Sequence, residues 1–245
     1  EGDTYYNTTE HVDQIGNEFI VSRSSSDPFY GSFESQNPAE KVSIEKMNFI
    51  DLPSKIERYS NNTYVATGKT LLVLNSTGDL VGYKGFQDTI STLFVNSTLG
   101  WMFISSGETV YWYDIQSDIP EEINSINLEF DDQIYAVAGK DNYLYYSCGA
   151  GGVATVRYSN SSLSMSQTDE QVVDLGVVLY DIAAGNNTIY FSSNEGIYES
   201  SIVDREDPGS VTQVNNTDTT QTNAIDYYGT NQTEYLVVGM QDNRV

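Results

Sequence analysis

A short segment recurs six times along this chain: Asn, a brief apolar run, a small residue and, in most copies, Gly. It reads Asn17-Glu-Phe-Ile-Val-Ser22, Asn61-Asn-Thr-Tyr-Val-Ala-Thr-Gly68 and Asn96-Ser-Thr-Leu-Gly-Trp-Met-Phe-Ile-Ser-Ser-Gly107. It returns as Asn142-Tyr-Leu-Tyr-Tyr-Ser-Cys-Gly149, Asn187-Thr-Ile-Tyr-Phe-Ser-Ser193 and Asn231-Gln-Thr-Glu-Tyr-Leu-Val-Val-Gly239. Anchored on the small residue (Ser22, Thr67, Ser105, Ser147, Ser192, Val238), the steps are 45, 38, 42, 45 and 46 residues. A step of about 43 residues filled with strand-like runs confines the chain to an array of one repeated supersecondary unit.

The composition agrees with strands and disagrees with helices. Hydrophobic residues make up 39% of the 245 positions, and 19 of the residues are Tyr, which suits half-buried strands. No apolar stripe of helical period runs past two turns. Thirty-five acidic side chains against 11 basic ones give a net charge of −24. Such a surface repels phosphate backbones and anionic lipid, so neither nucleic acid nor a membrane surface is expected as a partner, while cations and basic partners are compatible with it. No run of 18 apolar residues is present to span a membrane. A single cysteine, Cys148, leaves no intrachain disulfide, iron–sulfur site or cysteine-rich zinc site. Its apolar neighbours mark it as a buried small hydrophobe.

Each repeat divides into four strands, A to D. In the second repeat they are expected near 55–60, 63–67, 70–75 and 79–86, and in the third near 89–95, 100–105, 109–115 and 122–130. The fourth gives 133–139, 142–148, 152–159 and 170–175; the fifth gives 177–184, 188–193, 196–202 and 210–215. Asn suits the A–B hairpin because it tolerates positive φ. Gly68, Gly107, Gly149 and Gly196 suit the B–C hairpin for the same reason. In the first repeat Ser24–Pro28 replaces that Gly and reads as a longer, exposed B–C loop. The polar stretches at 160–170, 204–210 and 215–223 read as loops at one rim.

In period and strand order the chain resembles the broad β-propeller superfamily, including WD-repeat and surface-layer-type propellers. The resemblance implies an all-β, six-repeat β-propeller of four-stranded antiparallel blades in a single domain, 1–245. The repeats are expected near 12–50, 55–86, 89–130, 133–175, 177–215 and 222–245. There is no Trp-Asp strand end, Kelch double Gly or Asp-box, so no family function transfers to particular residues. The sixth repeat has A and B strands (222–228, 233–238) and little beyond, so the last blade reads as incomplete. Residues 1–11 contain a strand-like stretch that could close it, a neighbouring molecule could donate a strand, or the natural chain could run on past Val245.

Eight Asn-x-Ser/Thr acceptors, at Asn7, Asn61, Asn75, Asn96, Asn160, Asn186, Asn215 and Asn231, point to N-linked glycans. Several recur at the same hairpin, where a turn presents Asn and leaves room for a glycan. The chain opens on Glu1, the form a chain takes after a leader is removed, so an extracellular or cell-surface location is expected. Asn and Thr are also good turn residues, and that reading of the acceptors stays open.

Little in the chain speaks for catalysis. His11 is the single histidine and reads as a surface residue in a polar segment ahead of the first repeat; a Ser-His-Asp site would have to use it, and a His-ligated metal site would need carboxylates for most of its ligands. Carboxylates cluster at Asp131-Asp132, Glu121-Glu122 and Asp204–Asp207, while Asp181 and Asp226 hold equivalent A-strand positions. Paired acids could hydrolyse a glycoside if those strands line a channel, but repetition explains the pairing equally well. No cofactor is expected; calcium is chemically compatible with the acids, yet no Asp-x-Asp-x-Asp-Gly loop appears. Tyr111-Trp112-Tyr113 and Tyr143–Tyr146 read as inter-blade packing, with half of them free to reach a rim for sugar or subunit contact. The residues therefore favour a secreted, N-glycosylated surface or adhesion protein, not an enzyme, that associates with itself or with neighbouring surface proteins, in a filament or layer. The alternative is a propeller that binds or cleaves polysaccharide.

Overall fold

The computed structural model describes residues 9–15, 18–23, 26–33, 42–46, 53–129, 133–150, 152–168, 177–202, 212–214, 221–229 and 234–240. Among them there is no helix, and so none long and apolar enough to cross a membrane. The chain divides into two compact units, Glu1–Ile90 and Ser91–Val245.

The first unit holds two four-stranded antiparallel sheets. One is β1 (Thr9–Ile15), β2 (Glu18–Arg23), β3 (Ser26–Phe33) and β4 (Val42–Lys46), in that spatial order. The other is β5 (Pro53–Tyr59), β6 (Asn62–Thr67), β7 (Thr70–Leu74) and β8 (Leu80–Gly85). In this second sheet Ile56, Val65 and Leu74 are buried together, with Leu72 packed against them. Burial falls toward the last strand, because a terminal strand has a neighbour on one side only.

The second unit opens on β9 (Ile90–Asn96), which pairs in order with β10 (Trp101–Ser106), β11 (Thr109–Asp114) and β12 (Glu121–Asn127). Next come β13 (Ala136–Lys140), β14 (Tyr143–Ser147), β15 (Val153–Ser159) and β16 (Ser164–Gln167). The fifth sheet is β17 (Leu179–Ala184), β18 (Thr188–Ser193), β19 (Gly196–Ser201) and β20 (Thr212–Gln213). The sixth repeat supplies β21 (Thr222–Gly229) and β22 (Glu234–Met240). All six residues of β10 are buried, so the second strand of that repeat has apolar neighbours on both faces and reads as a continuous run.

Aromatic packing joins the sheets of this unit. Trp101, Phe103, Trp112, Tyr146 and Tyr158 share one cluster with Val110, Leu144 and Val156, which ties the third sheet to the fourth. Phe103 lies 4.8 Å from Tyr158 and 5.6 Å from Trp112, ring centre to ring centre. Tyr145, Ile182, Ile189 and Phe191 do the same between the fourth and fifth sheets. Phe94 of β9 sits so close to Gly139 of β13 that a Cβ there would fall 2.2 Å from its ring. Only a bare α-carbon leaves that ring its place.

The repeated small residue has a structural task. Ser147 Oγ accepts the backbone N–H of Ala136 at 3.0 Å, and Ser192 Oγ accepts that of Asp181 at 3.0 Å. The second of these faces an irregular start to its A strand. The register shifts at Thr9/His11, Pro53/Lys55, Leu179/Asp181 and Thr222/Ala224, the same place in four sheets. A bulge leaves one N–H without a ladder partner, and in the fifth sheet the Ser192 hydroxyl on the facing strand supplies it.

Several expectations need correction. The fourth D strand is Ser164–Gln167, so 160–167, expected as loop, is a turn leading into a strand; residues 170–175, where that strand was expected, lie outside the described residues. Ser26, Asp27 and Pro28 belong to β3 and are not loop. His11 lies within β1, paired with Ser22, and not ahead of the first sheet. Positive φ in the A–B turns falls on Ser60 (56°) and Asp141 (52°), the residue before Asn in each case. The turn glycines do take it: Gly68, Gly107, Gly149 and Gly196 have φ of 52°, 58°, 57° and 113°.

Candidate functional site

In a four-stranded antiparallel meander the A–B and C–D turns leave one end of the sheet and the B–C turn leaves the other. Five of the eight glycan acceptors lie within the described residues, and all five occupy A–B or C–D turns. Asn61 lies between β5 and β6, Asn96 closes β9, and Asn186 lies between β17 and β18. Asn75 lies between β7 and β8, and Asn160 between β15 and β16. Asn7, Asn215 and Asn231 fall outside the described residues.

The five acceptors are not equivalent. Asn61, Asn160 and Asn186 are exposed. Asn75 is half-buried, and its Oδ1 accepts the N–H groups of Thr77 (3.0 Å) and Asp79 (2.8 Å) as well as the Thr77 hydroxyl (2.7 Å). Asn96 is held at both ends of its amide. Its Oδ1 accepts from the N–H groups of Thr98 and Leu99, each at 3.2 Å, while its Nδ2 donates to Tyr158 Oη at 3.1 Å. Tyr158 in turn donates to the Asp141 carbonyl at 2.5 Å. The atom a glycan would take is thus part of a latch between the third and fourth sheets. Burial raises the Tyr158 phenol above its ordinary range; the Asn96 hydrogen bond opposes that rise and the charge of Asp141 adds to it.

The opposite end of the second unit is built differently. Tyr135 is exposed just ahead of β13, and its ring meets Tyr180 of β17 edge-on at 6.3 Å. The surrounding backbone is tightly bonded. Leu179 N–H donates to the Gly149 carbonyl (3.2 Å), and Val178 N–H donates to Asn194 Oδ1 (2.8 Å). The Thr222 hydroxyl accepts from Ser193 N–H (2.9 Å) and donates to the Gly196 carbonyl (2.9 Å). Glu108 and Glu195, in the B–C turns of the third and fifth sheets, are exposed at this end. It therefore presents two tyrosines and carboxylates, whereas the described acceptors lie at the other end of each sheet.

The remaining candidates are structural where they are described. Asp181 accepts the N–H of Ile182 (2.9 Å) with one oxygen and that of Ile225 (3.0 Å) with the other, which staples β17 to β21. Asp226 is exposed and accepts the N–H of Tyr227 (2.8 Å). Glu122 lies in β12 and accepts from Tyr113 Oη at 3.2 Å, and Glu121 precedes it in the same strand. Asp131, Asp132 and Asp204–Asp207 lie outside the described residues. Among the described residues no group of three or more His, Cys, Asp or Glu gathers as a metal site would require. Cys148 is buried, as its apolar setting implies. Trp112, Tyr113, Tyr145 and Tyr146 are buried too, while Tyr111 and Tyr143 of the same two clusters are half-buried. Tyr135 and Tyr180 went unremarked in the sequence, although their 45-residue separation is one repeat step.

No protein-family model and no curated protein sequence matches the chain. Solved structures do match in shape. A putative 6-phosphogluconolactonase from Bacteroides uniformis superposes with a TM-score of 0.69 at 14% identity, over 93% of this chain and 76% of that one. The WD40 domain of Pan2 from Neurospora crassa gives 0.64 at 8% identity, over 90% of this chain and 69% of that domain. The computationally designed protein Ika8 gives 0.64 at 11% identity, over 98% and 83%. With the six sheets described above, these likenesses establish the fold as a β-propeller of four-stranded antiparallel blades.

Proposed function

We propose that this β-propeller is a secreted, N-glycosylated structural or adhesive protein of a cell surface, and that it assembles with copies of itself or with neighbouring surface proteins. The observation that carries the reading is the sidedness of the acceptors: all five described ones sit in A–B or C–D turns. A glycan is bulky and solubilising, so within each sheet that carries described acceptors it would leave the opposite, B–C end open for contact. The strongly acidic composition suits the same setting by keeping separate molecules from aggregating without specificity.

A second reading, a propeller that binds carbohydrate, draws on exposed Tyr135 and the half-buried Tyr180 beside it, since aromatic faces can stack on sugar rings. Negative-stain electron microscopy of the natively sourced protein separates the two. Filaments or sheets with a regular repeat are the expected result. Isolated single particles at every concentration would overturn the assembly reading and leave the carbohydrate-binding one.

A further inference from the structure

Three buried polar atoms of the second unit have no hydrogen-bond partner among the described residues: Ser105 Oγ, Trp112 Nε1 and Tyr146 Oη. Buried polar groups are nearly always paired, with protein or with enclosed water, because an unpaired one bears its desolvation cost with no return. All three belong to the seam between the third and fourth sheets. Trp112 and Tyr146 share its aromatic cluster, and Ser105 lies two residues beyond Phe103 of that cluster, on the same face of β10. Val110 is the cross-strand partner of Ser105, so Trp112, two residues further along β11, stands diagonally beside it.

The repeat shows what is unusual here. Ser105, Ser147 and Ser192 hold the same repeat position, but their hydroxyls are used differently. Those of Ser147 and Ser192 each accept an N–H of their own A strand, at 3.0 Å. In the third sheet Ser91 Oγ donates to the Ser105 carbonyl at 3.3 Å, and Ser105 Oγ takes no such bond. The aromatic residue across each seam differs too. Tyr146 packs toward the third sheet, and Phe191, 45 residues on, fills the corresponding place against the fourth. Both are 0% exposed, so a ring alone suffices to fill that place and packing does not account for the Tyr146 hydroxyl. The Ser105 hydroxyl is near enough to hold down part of the rise that burial gives this phenol, yet the two oxygens do not bond. Two hydroxyls that sense each other without bonding, beside an indole N–H, call for a small group between them that both donates and accepts.

We infer that the seam between the third and fourth sheets encloses a bound water, which accepts from the Trp112 indole N–H and joins the hydroxyls of Ser105 and Tyr146. Three partners are the usual number for a buried water. All three groups are uncharged, so they suit a neutral guest and give an ion no counter-charge. The site ties two blades together by polar contact inside an otherwise apolar seam, and it is independent of the surface role proposed above.

A crystal structure of the full chain, at a resolution that shows ordered water, tests this directly. Density is expected for one water within about 2.7–3.2 Å of Ser105 Oγ, Trp112 Nε1 and Tyr146 Oη. No density there, or a direct hydrogen bond between Ser105 and Tyr146, would overturn the site. Urea titration gives a second readout. Tyr146→Phe, which makes this place match Phe191, and Ser105→Ala are each expected to raise the unfolding equilibrium constant roughly tenfold, since each deprives the water of a partner. Both variants remove the same bridge, so the double variant is expected to lose much less than the two singles combined. Stability unchanged or increased by Tyr146→Phe would also overturn the inference, because loss of a hydroxyl without a partner only relieves a desolvation cost.

Discussion

Replacing Phe103 with alanine is expected to destabilise the protein by about 3–5 kcal/mol, the range for emptying a large aromatic side chain from a core. Phe103 is 1% exposed and lies among Trp101, Trp112 and Tyr158 in the cluster that joins the third and fourth sheets. Its ring is also 6.4 Å from that of Phe94, which in turn covers Gly139. The void would thus open where two sheets meet, with stiff rings on several sides that cannot collapse into it. Phe103→Leu keeps most of the volume and forfeits the aromatic contacts, each worth about 0.5–1.5 kcal/mol, so its cost should fall well below that of alanine. Urea titration of both variants, with Tyr83→Ala as an exposed aromatic control expected within about 0.5 kcal/mol of wild type, measures the difference.

The second large effect is alkaline unfolding. Tyr113, Tyr146 and Tyr158 are buried, and each phenol is raised above its ordinary value near 10, with burial the largest cause. At Tyr113 the nearby Glu122 carboxylate adds to the rise; at Tyr146 the Ser105 hydroxyl opposes it. Below about pH 10 these phenols keep their protons in both the folded and the unfolded chain, so they give stability no pH dependence. Above that value the unfolded chain releases protons that the folded chain retains. Stability then falls by up to about 1.4 kcal/mol per pH unit for each such group. Circular dichroism should show flat stability from neutral pH to roughly 9.5 and a steep, cooperative loss above about 10. Absorbance near the tyrosinate band should rise in two phases, exposed tyrosines first and the buried ones only with unfolding. A single smooth titration with the fold retained would contradict the burial of these three groups.

The parts of the fold legible in the sequence are those whose signal is local. The B–C turns were readable because only Gly takes the left-handed backbone there without strain, and Gly68, Gly107, Gly149 and Gly196 all do so. The buried B strands were readable as apolar runs. The fourth D strand was not, because Ser164–Gln167 is an edge with little to bury and so leaves no hydrophobic alternation. The start of β3 was masked by Ser26, Asp27 and Pro28, residues that favour turns when nothing else decides.

The candidate site was legible only in part. The acceptors recur at hairpins, and the hairpins follow from the repeat, but which of them are engaged depends on distant partners. Asn96 meets Tyr158 across 62 residues, and Asp181 meets Ile225 across 44. Neither pairing leaves a mark on the sequence around either residue. Asp181 is the sharper case: its match with Asp226 suggested a pair of acids facing one space. In the structure both its oxygens are occupied by backbone N–H groups.

Site-by-site glycopeptide mass spectrometry of the natively sourced protein tests the central claim most directly. The account predicts glycan on the exposed acceptors Asn61, Asn160 and Asn186, and an unmodified Asn96, whose amide nitrogen is held by Tyr158. Recovery of all these peptides without glycan would contradict it.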